Sequence, residues 1–362
     1  MSSVRSTEQR GRPPLLILVI LAVLLLVVST ACQGGKNTSV VQQQPSNVTL
    51  RLGYFPNVTH SQPIVGLQRG TFQQALGPNV KLDPKTFNAG PSAIEALFAG
   101  EIDATYIGPN PAINGYIKSN GEALRIVAGA TSGGALFVVR QDSGITKPAD
   151  LAGKRIASPQ LGNTQDVALR AYLLANGLAS KENGGNVEVI PTANPDILTL
   201  FKKGEINGAW VPEPWGTRLV GEANGRLFLD ERTLWPNGDF VTTHLIVRTE
   251  FLEKHPAVVE NLLRAHVETT LWINGNQREA TELVVKGIRE VTGATLALEL
   301  VSQSWQNLRI TYDPIASSLR KSADDAFKLG FLGNKNPDLR NIYALDPLNK
   351  VLKEKNLKSV SR

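Results

Sequence analysis

The chain has 362 residues, 42% of them apolar, with 38 Lys+Arg against 32 Asp+Glu. It is too apolar for a disordered chain and long enough for about two domains of ~150 residues each. A net charge of +6 without long basic runs argues against nucleic-acid binding, and a single Cys excludes a disulfide framework, a thiolate metal cluster and a CxxC redox pair. Four scattered His residues offer no metal-ligand spacing, so neither a metal nor a cofactor is expected.

At the N-terminus, Arg5, Arg10 and Arg12 precede an unbroken apolar run of 14 residues, Leu15–Val28. A bilayer-spanning helix needs ~20 apolar residues, whereas a signal peptide's core needs ~7–15. Small residues Ser29, Thr30 and Ala31 then lead to Cys32, the only cysteine. The segment resembles a bacterial lipoprotein signal, with residues 1–31 removed and Cys32 lipidated as the new N-terminus. Ser29 departs from it, standing where that signal usually has Leu. An uncleaved membrane anchor and an incidental cysteine are the competing readings. Residues 32–47, rich in Gln, Gly, Ser and Asn, read as a flexible tether. The folded body is therefore expected outside the cytoplasm, lipid-anchored to a membrane.

The body alternates β-type runs with helical stretches. Strands are expected at Val48–Phe55, Val80–Phe87, Ile102–Ile107 and Leu124–Ala130, with helices from about His60 and at Pro91–Ala99. Further strands follow near Arg155–Ser158, Val187–Pro191 and Ile206–Val211, and from Glu250 onward the pattern is mainly helical. Such alternation predicts an α/β architecture of parallel sheets covered by helices.

The two halves echo each other at an offset of 104 residues. Ala89-Gly90-Pro91 falls on Ala193-Asn194-Pro195, and Gly100-Glu101-Ile102-Asp103 on Gly204-Glu205-Ile206-Asn207. Arg51-Leu52-Gly53 falls on Arg155-Ile156-Ala157, and Thr59-His60-Ser61 on Asn163-Thr164-Gln165. Two similar lobes are expected, with a ligand cleft beyond the carboxyl ends of their strands.

Five loops that follow strands share one chemistry. The candidates in them are His60 and Ser61, then Asn88, Gly90 and Ser92, then Gly108 and Asn110. The fourth loop adds Gln160, Gly162, Asn163, Thr164 and Gln165, and the fifth adds Glu213 and Trp215. These are helix-start residues, and a helix start offers unpaired N–H groups and the positive end of the dipole. No Lys or Arg stands in these loops. Neutral donors suit a permanently ionised, proton-free oxyanion such as a sulfonate. Plain helix capping is the competing explanation for each loop taken alone.

Glu213 is placed in the cleft wall, where a carboxylate suits the ammonium end of a zwitterion. A cap on the following helix, or an ion pair with Arg218, is its alternative. Trp235, Trp272 and Trp305 read as core, and His255 and His266 as helix surface.

Taken together, Gly53-Tyr54-Phe55-Pro56-Asn57, Asn88-Ala89-Gly90-Pro91-Ser92, Ile107-Gly108-Pro109-Asn110-Pro111, Gly162-Asn163-Thr164-Gln165-Asp166 and Trp210-Val211-Pro212-Glu213-Pro214-Trp215 carry a family resemblance. They resemble the periplasmic binding proteins of ABC importers, and more narrowly their nitrate/sulfonate/taurine group, over roughly 48–350. The resemblance implies a type II periplasmic-binding fold of two α/β lobes joined by a two-crossing hinge. Lobe 1 is expected at 48–139 plus 245–362 and lobe 2 at 140–244, with paired strands Ala135–Arg140 and Thr243–Arg248 as the crossings. It also implies a monomer that closes on a small anionic solute and docks on a membrane permease. An aliphatic sulfonate (taurine or an alkanesulfonate) is the expected solute. Nitrate, bicarbonate and a thiamine pyrimidine precursor are the alternatives within that role, and a solute-sensing subunit of a membrane kinase is the reading from another class. A related fold makes a thiamine pyrimidine with a Cys-rich motif and a pyridoxal-bound Lys. Here Cys32 is the lone cysteine and no catalytic constellation joins the loops, so no enzymatic activity is expected.

Overall fold

The computed structural model describes residues 48–334 and 337–362. The signal segment, Cys32 and the tether lie outside the described residues. Among those described, no helix is long and apolar enough to cross a membrane.

Eleven strands alternate with helices: β1 (Val48–Tyr54), β2 (Val80–Thr86), β3 (Ala104–Ile107), β4 (Leu124–Gly133), β5 (Ala135–Arg140), β6 (Arg155–Pro159), β7 (Glu188–Thr192), β8 (Gly208–Pro212), β9 (Gly225–Asp230), β10 (Val241–Arg248) and β11 (Leu308–Ile310). They form one sheet of order β11-β4-β10-β3-β1-β2 and a second of order β7-β6-β8-β5-β9. Central strands β3 and β8 are buried along their whole length, as strands covered by helices on both faces must be. The first sheet packs into one continuous core, and the second has two smaller clusters.

The 104-residue echo is structural. Leu52 and Gly53 of β1 pair with Ala104 and Thr105 of β3, while Ile156 and Ala157 of β6 pair with Gly208 and Ala209 of β8. Each partner is 104 positions beyond its counterpart. Helix Gly90–Phe98 is likewise repeated as Asn194–Lys202. The conserved helix-to-strand connection does the same work in both lobes. Arg51 N–H donates to Asp103 Oδ2 at 3.0 Å, and Arg155 N–H donates to Asn207 Oδ1 at 2.9 Å. The Asp103 and Asn207 amides return bonds to the Arg51 and Arg155 carbonyls at 2.9 and 2.8 Å.

The crossings differ from expectation. Ala135–Arg140 pairs with β8 and β9 in the second sheet, whereas Thr243–Arg248 pairs with β3 and β4 in the first, so the two never pair with each other. The chain changes sheets at Gly133 and Gly134, whose φ values of 73° and 76° lie in the left-handed region. It returns along 231–240. Strand β9 and the short β11 carry no strong pattern of their own and were not expected.

His266 is a second correction. Its helix, Pro256–Gly275, is packed on several sides, and the ring is fully buried. Its Nε2–H donates to the Gly129 carbonyl at 2.9 Å, and Nδ1 accepts from the Tyr106 hydroxyl at 2.8 Å. Of the three tryptophans, Trp305 is core, while Trp235 and Trp272 are half-buried.

The return crossing begins at Glu231, which is buried beneath Trp210 and Trp235. Their indole N–H groups donate to its carboxyl oxygens at 2.8 and 3.3 Å. Burial pushes its pKa up to about 7 from the ordinary 4.5. The folded chain therefore holds this proton more tightly than the unfolded one. Its stabilising effect is complete below about pH 4.5 and is lost as pH rises through about 7, roughly 3 kcal/mol in all. Glu231→Gln should flatten that segment of the curve, as urea unfolding of both proteins at pH 5 and pH 8 would show. An unchanged difference between the two pH values would contradict the assignment.

Candidate functional site

The carboxyl ends of the two parallel strand sets face one cleft. Its inner part, a narrow space of about 20 Å³, is lined by Phe55, Asn57, Thr59, His60, Asn88 and Gly108 from the first lobe. Asn163, Thr164, Gln165, Asn194 and Pro212 line it from the second, with Thr242 and Thr243 at the start of β10. That is about the room of one water molecule, so the walls lie close together here. Three pairs in this wall, Thr59/Asn163, His60/Thr164 and Gly108/Pro212, are equivalent positions of the repeat.

Helix starts at Gly90, Pro109, Thr164 and Asn194 surround this chamber, and in none does the preceding residue's side chain cap the helix. Asn163 is at an N-cap with extended backbone, φ −72° and ψ 166°, yet its amide leaves the helix N–H groups alone. Capping therefore does not explain these residues. Proline in the first turn removes donors from three of the four starts, so Thr164–Ala175 offers the fullest set of unpaired N–H groups.

Three polar atoms in the chamber wall are buried and have no protein partner: Thr164 Oγ1, Asn194 Oδ1 and Thr243 Oγ1. Leaving such groups unpaired costs about 1–3 kcal/mol each, and unpaired atoms occur elsewhere in the fold too, so it is the convergence of three on one chamber that points to a partner there. His60 adds a directed donor. Its ring stacks on Phe55 at 4.5 Å, and its Nδ1 accepts the Phe55 N–H at 3.3 Å, which leaves the proton on Nε2. Burial pulls its pKa down to about 3, so the ring is neutral.

Of the expected residues, the structure brings His60, Asn88, Gly108, Asn163, Thr164 and Gln165 to the chamber wall. Gly90 lies just behind, where any Cβ would meet Pro111 and Asn163. Trp215 lines the outer part of the cleft and donates its indole N–H across it to Asn57 Oδ1 at 2.9 Å.

Others are turned away. Ser61 donates to the Val58 carbonyl at 2.5 Å, Ser92 to Ala89 at 2.9 Å, and Asn110 to Ser322 at 3.2 Å. Gln160 is exposed, and the Gly162 N–H is taken by Asp166 at 2.9 Å. Glu213 is the largest departure. Its carboxylate is fully buried off the cleft and accepts from the Thr217 N–H and hydroxyl, Ser304 and Asn307, at 2.6 to 3.3 Å. It caps its helix and ties the lobes together, and no oxygen is left to read an ammonium group.

Asn57, Thr59, Asn194, Thr242 and Thr243 were not among the candidates. The repeat held a signal for Thr59 and Asn194, which answer to Asn163 and Gly90 across it. Thr242 and Thr243 had none, because a strand that returns from the other lobe has no helix-start signature.

Residues 43–288 match the NMT1-like family. The chain is 28% identical to the taurine-binding periplasmic protein of Escherichia coli (strain K12) over 63% of its own length and 66%, just under two thirds, of that protein's. The alkanesulfonate-binding protein SsuA from Xanthomonas axonopodis pv. citri, bound to MOPS, superposes with a TM-score of 0.67 at 19% identity, covering 80% of this chain and 96% of that one. The periplasmic nitrate-binding protein NrtA from Synechocystis PCC 6803 gives 0.70 at 17% identity, with 85% and 89% covered. At such identities the two superpositions establish the fold. With well over half of its length matched, the chain belongs to the NMT1-like family and has the two-lobed α/β fold of periplasmic binding proteins.

Proposed function

We propose that the protein captures an aliphatic sulfonate outside the cytoplasm and delivers it to the permease of an ABC importer. The two buried, unpaired hydroxyls around the chamber, Thr164 Oγ1 and Thr243 Oγ1, carry this reading, together with uncapped helix starts and the neutral His60 donor. Among the described residues, no Lys, Arg, Asp or Glu lines the inner chamber. A wall of neutral donors suits an anion without protons of its own, and holds it without a full opposing charge that would slow its release. Donors come from both lobes, so the ligand favours the closed state over the open one, and capture is a shift of that equilibrium. The taurine- and alkanesulfonate-binding relatives support the choice of anion. Lipid anchoring at Cys32 belongs to the same proposal and rests on the sequence.

Thr164→Val tests the site, because it keeps the shape and removes one hydroxyl. Affinity for ethanesulfonate, read by isothermal titration, should fall by about 1–3 kcal/mol. Unchanged affinity would remove Thr164 from recognition. Binding of nitrate with every sulfonate silent would move the proposal to the other anion.

A further inference from the structure

Asn57, Asn88 and Asn194 line both the inner chamber and a second, outer one of about 350 Å³ that opens to solvent. Its walls change character. They are chiefly Pro56, Pro195, Leu198, Trp215, Ile288 and Leu296, drawn from both lobes. The indole of Trp215 is held by its bond to Asn57 and by the Arg218 guanidinium 4.7 Å from the ring centroid, itself paired with Glu222 at 2.8 Å. Among the described residues no Asp or Glu lines either chamber, and the single charged side chain in the outer one is the cation Arg218.

We propose that the outer chamber receives an apolar tail on the solute, so that the chain prefers sulfonates with a longer alkyl or aryl tail and discriminates against taurine. The inference rests on the sulfonate reading of the inner chamber. An ammonium group held two carbons from the sulfonate would leave water without meeting a carboxylate, while Glu213 has spent both oxygens inside the protein. A methyl group in its place meets Leu198, Leu296 and Trp215.

Taurine and 1-propanesulfonate are close isosteres, with an ammonium group in one where the other has methyl. Isothermal titration of the purified full chain should give at least tenfold tighter binding of 1-propanesulfonate. From propane- to hexanesulfonate each added methylene should tighten binding about fourfold. Leu198→Asn should remove that gain while leaving methanesulfonate affinity unchanged, and Leu296→Asn should repeat the effect from the other lobe. Taurine matching 1-propanesulfonate, or equal affinity at every chain length, would overturn the tail chamber and leave the oxyanion site standing. Silence from every sulfonate would overturn both.

Discussion

Glu213→Ala should lower the unfolding free energy by about 3–5 kcal/mol, the largest stability loss expected from any single polar substitution here. The carboxylate accepts four hydrogen bonds. Two come from Thr217 in its own lobe, and Ser304 and Asn307 supply the others from the opposite lobe. Alanine strands the Thr217 donors and the half-buried Asn307 amide, while Ser304 keeps its bond to the Leu300 carbonyl at 3.0 Å. The backbone of the same residue is also part of the seam: its N–H donates to Gly134 at 2.9 Å and its carbonyl accepts from Val58 at 3.1 Å. Urea denaturation would measure the loss, and a change under about 1 kcal/mol would show that the network is dispensable. Glu213→Gln keeps the shape and should scale taurine and ethanesulfonate affinity by the same factor. A selective loss for taurine would restore the ammonium role that burial argues against.

Gly108→Ala should instead spare folding and damage binding. Gly108 has ordinary backbone angles, φ −70° and ψ 159°, so alanine is not strained there by its own conformation. The difficulty is space. A Cβ would overlap Thr164 Oγ1 and come within 3.5 Å of the Thr242 carbonyl. Gly108 begins a helix of the first lobe and Thr164 one of the second, so the added methyl wedges the cleft. Overpacking of this kind costs about 1–3 kcal/mol, which here falls on closure and appears as a roughly tenfold to hundredfold loss of affinity. Removing the opposing side chain in Gly108→Ala/Thr164→Ala should relieve the closure defect, measured by small-angle scattering with and without ligand. A single variant that closes and binds normally would show that the lobes do not meet at this point.

Much of the fold was legible because the repeat is both chemical and geometric. Gly-Glu-Ile-Asp and Gly-Glu-Ile-Asn read as one connection, and in the structure Asp103 and Asn207 accept the same amide bond in each lobe. The lobe boundary was less visible. β5 and β10 are both apolar runs, and nothing in their residues says which sheet each will join. The cleft loops were legible as helix starts, but a helix-start residue can face the ligand or its own backbone. Asn163 and Thr164 face the cleft, whereas Ser61 and Ser92 donate to carbonyls three residues back. Glu213 misled for a related reason. Two tryptophans beside it suggested a binding wall, yet one is core and the carboxylate belongs to the seam. Partners that arrive from Ser304 and Asn307, some 90 residues away, leave no local trace.

The neutral imidazole of His60 has a consequence for how cargo is let go. Among the described residues His60 is the one titratable side chain on the inner wall, and burial pulls its pKa down to about 3, so the ring is neutral at ordinary pH. Acidification of the surroundings therefore leaves the charge of this inner wall unchanged. In the capture role proposed above, the grip is then loosened by parting the two halves, because nothing on the inner wall changes charge to loosen it.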